Sequence, residues 1–231
     1  MPLASEVRRP SGLPPRGIIL SGLVLYAPLW HPDLSLSPFK TKDPFQHSGT
    51  VTSAVWTPQG RTFDGLWDEI VLPAAAGVMS GAGTLAFWFK YDSSVGAVDD
   101  RILLAKRTAA AGTNYQISIS VAAPGNRGVS LYTGGAQQNS LYFPTVGQWE
   151  YLSFRRTSAT SIIFAANCVD KFTFTLDWGA GTGATLAIGN MTNLGDYPVK
   201  GTFGDVLGSN LTLTSTEDQR IYLATKWRYG L

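Results

Sequence analysis

The sequence predicts an all-β fold, an antiparallel two-sheet jelly-roll sandwich with one short C-terminal helix. Short segments that are apolar or alternate between apolar and polar residues recur along the chain, with turn signals about every ten residues. The 25 glycines and 13 prolines supply those turns, and a helix signal occurs once, near the end of the chain. Many short strands followed by one late helix are typical of sandwiches and jelly rolls.

The length of the chain favours a single domain. Its 231 residues are 44% hydrophobic, which suffices for one core, and β-sandwiches often reach this size as one domain. We expect a jelly-roll domain over residues 18–231 and an extended N-terminal arm over residues 1–17. Proline keeps the arm out of helices and central strands, so it is either a disordered tail or a segment that reaches over a neighbouring subunit. The residues that define the arm are Arg8, Arg9, Pro10, Pro14 and Pro15.

The first core strand is expected at residues 23–30, followed by a proline-rich loop. The uniformly apolar segment 84–89 predicts a strand covered on both faces, which places Trp88 in the core together with Trp149. Strict alternation at 115–121 and 171–176 predicts half-buried strands. Further strands are expected at 49–56, 61–64, 69–72, 101–106, 128–133, 148–156, 161–166, 184–188 and 201–207.

The helix is predicted at residues 215–227. Thr214 and Glu217 have the spacing of a capping box, in which each side chain satisfies a backbone N–H of the other. Ile221 and Ala224 continue with helical spacing, and Gly230 is a typical helix stop.

Charge, hydropathy and cysteine content exclude several classes of partner. Charged residues make up 15% of the chain and the net charge is +2, with the basic residues scattered, so we expect no nucleic-acid binding. No apolar segment is long enough to cross a bilayer, and the arginine-rich N-terminus lacks a small-x-small cleavage site, so neither membrane insertion nor a signal peptide is expected. The single Cys168 cannot form an internal disulfide, and its apolar surroundings predict a small buried side chain.

Several segments resemble, in the correct order, those of laminin-G-like, concanavalin A-like jelly rolls. They are the opening Leu-Val-Leu-Tyr of residues 23–26, the Phe-Asp-Gly hairpin of 60–70, the Phe-Trp-Phe-Lys strand of 84–90, the Gly-Gln-Trp strand of 146–151, and the final strand and helix of 204–222. The ending 224–230 is similar to stand-alone members from phage and environmental viral genomes. The resemblance implies two curved sheets with a concave face. The chain departs from the family pattern at Trp67 and Glu69, and Asn167-Cys168 stands where relatives have a Val-Asn-Gly turn.

The chain is predicted not to be an enzyme. Glycosidases need two carboxylates that flank the glycosidic bond, and the Glu-x-Asp-x-x-Glu motif of glucan-cleaving relatives does not occur. His31 and His47 both lie in the proline-rich loop, and the sequence has no Gly-x-Ser-x-Gly nucleophile motif. No cofactor is expected apart from structural calcium, for which the candidate ligands are Asp64, Asp68, Asp99 and Asp100. The alternative is that these aspartates stabilise turns by binding nearby backbone groups.

A carbohydrate site is predicted from aromatic and amide side chains near strand ends. Sugar rings stack their C–H faces on aromatic rings, while neutral amides and hydroxyls bind the sugar hydroxyls. Trp67, Tyr132 and Trp178 are the candidate rings, with Gln137 and Asn139 in a polar loop next to Tyr132. The alternative for each ring is the core or a protein interface.

Three functions are therefore considered. The first is a non-enzymatic virion-associated structural protein (a capsid decoration, head fibre, or minor capsid or tail component), located on the virion surface and binding other virion proteins or copies of itself. The second is a secreted or cell-surface module that binds glycans, which is compatible with the first. A polysaccharide-cleaving enzyme is the third and is disfavoured by the missing carboxylates.

Overall fold

The computed structural model describes residues 22–73, 81–92, 100–107, 113–120, 128–133, 136–177, 185–190 and 198–231. Within these residues the chain forms sixteen strands and one α-helix. The strands are β1 Leu23–Pro28, β2 Phe39–Lys40, β3 Ser48–Thr52, β4 Val55–Thr57, β5 Gly60–Asp64, β6 Glu69–Leu72, β7 Gly83–Tyr91, β8 Asp100–Arg107, β9 Thr113–Ser120, β10 Gly128–Thr133, β11 Ala136–Asn139, β12 Trp149–Ser158, β13 Ser161–Ala166, β14 Val169–Phe174, β15 Thr185–Ile188 and β16 Lys200–Ser209, and the helix is α1, Ser215–Thr225.

The strands form two antiparallel sheets, which confirms the predicted sandwich. The first sheet has the order β14-β13-β12-β7-β16-β5-β4, with β1 also paired to β16. The second sheet has the order β11-β10-β9-β8-β15-β6-β3-β2. The core lies between them, where phenylalanines of the first sheet pack with aliphatic side chains of the second; its buried members include Phe87, Phe154, Phe203, Leu104, Ile117, Leu131 and Ile188.

A second apolar cluster lies on the outer face of the first sheet, beneath α1. Trp88 and Trp149 belong to it, so both are buried as predicted, but they face the helix and not the space between the sheets. The rings of Trp88 and Tyr229 stack with centroids 4.4 Å apart, and Trp88 Nε1 donates to Thr225 Oγ1 at 2.8 Å. This contact fixes α1 on the sheet.

The C-terminal helix begins and ends as its sequence signals predict. The Thr214 hydroxyl accepts from the Glu217 amide, and the Glu217 carboxylate accepts from the Thr214 amide, which completes the capping box. The α-helix ends at Thr225, and a 3-10 turn continues over Lys226–Tyr229 until Gly230, whose φ of 77° is favourable for glycine. The predicted range 215–227 therefore spans the helix and the first half of this turn.

Two buried carboxylates connect the C-terminal segment to the first sheet. Asp205, on β16, accepts hydrogen bonds at 2.9 Å from the side chains of Tyr26, Trp30, Arg228 and Tyr229. Asp218, on α1, accepts from the hydroxyls of Tyr151 (2.7 Å) and Ser153 (2.5 Å), and burial raises the pKa of its carboxyl.

The strand predictions differ from the structure in several places. Strand β2 was not predicted, and β9, expected to be half-buried, is buried at every position from Tyr115 to Ser120. The segment 49–56 is not one strand, because the chain changes sheets near Ala54, with β3 in the second sheet and β4 in the first. Residues 136–139 form strand β11 and are not a loop. Gln138 of this strand donates to Thr175 Oγ1 and accepts from the Thr175 amide, both at 2.7 Å, so it bridges the edges of the two sheets. Such a polar strand carries little apolar signal, which explains why the sequence pattern missed it.

Cys168 lies in the tight turn between β13 and β14, and its side chain is half-buried where the sequence predicts a small buried one. Asn167 and Cys168 have φ values of 51° and 63°, as the two central residues of a type I′ hairpin turn require. Glycine is usual at such a position.

The thiol of Cys168 is expected to react very slowly. Burial, and secondarily the nearby Asp218 carboxylate, raises its pKa to about 12. Only a fraction on the order of 10⁻⁴ is then thiolate, the reactive form, at pH 8. Mass spectrometry after iodoacetamide treatment at pH 8 should find the folded protein almost unmodified and the guanidinium-unfolded protein fully alkylated. Equal rates in the two states would contradict the burial of the sulfur.

Candidate functional site

The candidate site lies on the outer face of the second sheet, opposite the core. Along β9 and β10, Ile117, Ile119, Val129 and Leu131 face the core, so the residues between them face outward. One outward row runs in register across seven of the eight strands of the sheet, from β11 through β10, β9, β8, β15 and β6 to β3. Its members are Gln137, Tyr132, Gln116, Ala105, Ala187, Val71 and Thr50.

A neutral polar cluster occupies the β9–β11 end of this face. We name it the Tyr132 patch, and it consists of Tyr132 with Gln116, Ser130, Gln137 and Asn139. Asn139 Oδ1 accepts from Ser130 Oγ at 2.7 Å and from Gln137 Nε2 at 3.2 Å. These bonds fix the two side chains of the edge strand β11 next to the ring of Tyr132.

The chemistry of the Tyr132 patch is that of a hydroxyl-binding surface. Tyr132, Gln137 and Asn139 are half-buried, and Gln116 retains 8% of its exposed area. Amide groups donate and accept hydrogen bonds, and the tyrosine ring offers an apolar face beside them. The five side chains carry no formal charge at neutral pH, so they suit a neutral ligand with many hydroxyl groups.

The structure brings together three of the five predicted glycan-binding residues. Tyr132, Gln137 and Asn139 are neighbours on β10 and β11. Trp67 is 56% exposed in the turn between β5 and β6, and β6 lies four strand spacings from β10, or about 19 Å. Trp67 therefore does not belong to the patch. Trp178 lies outside the described residues.

The sequence analysis missed Gln116 and Ser130 as members of the patch. The signal was present, because the alternation of residues 115–121 places Gln116, Ser118 and Ser120 on one face. What the pattern could not supply was the order of the strands. Tyr132 and Gln116 are neighbours only because β10 pairs with β9 in this register.

The predicted calcium ligands lie in different parts of the chain. Asp64 Oδ1 accepts from the Leu66 amide at 2.8 Å, and Asp68 Oδ2 accepts from the Asp64 amide at 2.6 Å. Both thus make the turn contacts of the alternative interpretation, and burial raises the pKa of the Asp68 carboxyl. Asp99 and the side chain of Asp100 lie outside the described residues, within which no group of three metal-binding side chains occurs. Calcium binding stays a prediction.

Comparisons with known proteins define the class of fold. No family model and no curated protein matches the sequence. Domain 4 of AbnA, a GH43 extracellular arabinanase from Geobacillus stearothermophilus, was solved in complex with arabinotriose. It has a TM-score of 0.65 and 20% identity, over 87% of this chain and 98% of that domain.

Two other solved structures are similar over most of this chain. A mutant of Trypanosoma rangeli sialidase displaying trans-sialidase activity has a TM-score of 0.71 and 15% identity, over 91% of this chain and 34% of that one. The binding domain of botulinum neurotoxin serotype D has a TM-score of 0.67 and 9% identity, over 90% of this chain and 53% of that one. The chain thus spans about a third of the sialidase. At these identities the likeness shows the β-sandwich fold alone.

A search of the described helices for membrane spans gave a negative result: none combines the length and the apolar character that crossing a bilayer requires.

Proposed function

We propose that this protein is a non-enzymatic carbohydrate-binding module that holds neutral oligosaccharides on the Tyr132 patch. The observation that carries the proposal is the grouping of one aromatic ring with three amides and a hydroxyl on adjacent strands. The ring of Tyr132 supports the apolar face of a sugar, and Gln116, Gln137 and Asn139 bind its hydroxyls.

The fold comparison supports the same class of ligand. Domain 4 of the arabinanase has this fold and was solved with arabinotriose, a neutral oligosaccharide. Arabino-oligosaccharides are therefore the first ligands to test, followed by other neutral glycans.

Binding without cleavage is supported by the chemistry of the patch. Hydrolysis of a glycosidic bond requires an acid and a second carboxylate on opposite sides of the bond. The Tyr132 patch consists of amide and hydroxyl groups, which hold a sugar but do not exchange protons with it near pH 7.

Replacing Tyr132 with alanine should lower the affinity for a neutral oligosaccharide about tenfold or more, because the stacking surface is removed from the centre of the site. Isothermal titration with arabino-oligosaccharides, after a glycan-array screen, measures this effect. Phe45→Ala is the matched control, since Phe45 is an aromatic residue that is 63% exposed in the loop between β2 and β3. Unchanged binding by the Tyr132→Ala variant, or an equal loss in Phe45→Ala, would contradict the proposed site.

Assembly into a larger particle is the second candidate function. Leu223, Trp227 and Leu231 recur every four residues along the C-terminal segment and are 51%, 67% and 53% exposed, which favours a protein contact there. A virion-associated role, a homo-oligomer and a virion-surface or extracellular location stay predictions, and the arm over residues 1–17 lies outside the described residues. Light scattering supports assembly if it finds an oligomer and opposes it if it finds a monomer.

A further inference from the structure

We infer that Ser118 and Ser120 extend the carbohydrate site from the Tyr132 patch along β9. The ligand then lies parallel to β9 and β10 and does not cross the sheet. The inference rests on the proposed function and adds the direction of the ligand and two residues that contact it. It also predicts that only longer oligosaccharides contact the two serines, since the ligand must extend beyond the Tyr132 patch to reach them.

Ser118 and Ser120 continue the outward face of β9 beyond Gln116. They alternate with the core residues Ile117 and Ile119, and two residues of a strand span about 6.8 Å. Ser118 pairs with Ser130 of the Tyr132 patch, and Ser120 pairs with Gly128, one step further along β10. The side chains of Gln116, Ser118 and Ser120 therefore form a polar column along β9 that begins beside Tyr132.

The hydroxyls of Ser118 and Ser120 are fully buried, and the structure gives neither of them a hydrogen-bond partner. A buried hydroxyl without a partner destabilises the folded chain, since it has lost its water. The hydroxyl of Ser130 differs from these two, because it has two acceptors within hydrogen-bond distance, the Gly128 carbonyl at 2.9 Å and Asn139 Oδ1 at 2.7 Å. A hydroxyl can both donate and accept, so a sugar hydroxyl would satisfy the two serines.

Across the strands, the next three outward residues offer no such groups. Next to Gln116 the outward row continues with Ala105, Ala187 and Val71, which have no side-chain donor or acceptor. An oligosaccharide that crossed the strands there would find no side-chain partner for its hydroxyls among these three residues. One that runs along β9 and β10 reaches Ser118 and then Ser120, once the groups that now bury these serines are displaced.

The experiment measures affinity against ligand length. Arabino-oligosaccharides from two to six units are titrated into the wild-type chain and into the variants S118A, S120A and S118A/S120A, with V71A as the control on the perpendicular path. We expect the double variant to lose about tenfold in affinity for the longer oligosaccharides and to bind the disaccharide unchanged. V71A should bind every length as the wild type does.

Thermal unfolding of the same variants separates binding from folding. Replacing an unsatisfied buried hydroxyl with a methyl group is neutral or stabilising, so the midpoint temperatures should equal or exceed that of the wild type. If the double variant keeps the length dependence of the wild type, or if V71A loses it, the inference is wrong while the proposed function stands. If the wild-type chain binds none of the oligosaccharides, both fail. Each single serine variant keeps the test valid should the double variant not fold.

Discussion

Replacing Asp205 with alanine is expected to lower the free energy of unfolding by about 3–5 kcal/mol, the range found when one partner of a buried ion pair is removed. Asp205 is 5% exposed and accepts four side-chain hydrogen bonds, one of them from the guanidinium of Arg228. Alanine would leave this cation buried without its counter-charge. It would also leave the hydroxyls of Tyr26 and Tyr229 without their acceptor.

Urea unfolding, monitored by circular dichroism, measures the loss of unfolding free energy in the Asp205→Ala variant. Asp33→Ala is the matched control, because Asp33 also forms an ion pair, with Lys42, but its side chain is 59% exposed. Exposed pairs contribute about 0.2–1 kcal/mol, so this control should unfold nearly as the wild type does. Similar losses in the two variants would show that Asp205 does not hold the C-terminal segment in place.

Truncating Trp88 to alanine should also cost about 3–5 kcal/mol, as is typical for a large aromatic residue removed from a core. The Trp88 side chain is completely buried beneath α1 and contacts three tyrosine rings, those of Tyr151, Tyr222 and Tyr229. Its removal opens a cavity between helix and sheet. It also takes away the donor to Thr225.

A graded series tests the role assigned to Trp88. Trp88→Phe keeps an aromatic ring beside Tyr229 but loses the bond to Thr225, so its unfolding free energy should lie between those of the wild type and Trp88→Ala. Trp67→Ala is the surface control and should change stability by less than about 0.5 kcal/mol, since Trp67 is largely exposed in a turn. An effect at Trp67 as large as that at Trp88 would refute the assignment.

The fold was predictable because its signals are local. The alternation at 115–121, the apolar strand at 84–89 and the capping box of Thr214 and Glu217 each determine structure within a few residues. Errors arose where local pattern and tertiary environment disagree. The change of sheet near Ala54 depends on contacts with strands distant in sequence, and β11 is polar because it lies at an edge.

The candidate site was only partly predictable, for a physical reason. Residue type identified Tyr132, Gln137 and Asn139, since an aromatic residue next to amides is the chemistry of sugar binding. The exclusion of Trp67 and the inclusion of Gln116 depend on strand order, which the spacing of residues within one strand does not contain.

The pairing of β1 with β16 has a consequence for how the chain acquires its structure. The bond between Tyr26 and Asp205 joins residues 179 positions apart, so this part of the first sheet forms only after a very large loop has closed. Domains dominated by such distant pairings reach the native state in milliseconds to seconds, far more slowly than helical bundles. During refolding, the apolar strand β7 must wait for β16 to cover one of its edges, and low protein concentration should therefore improve the yield.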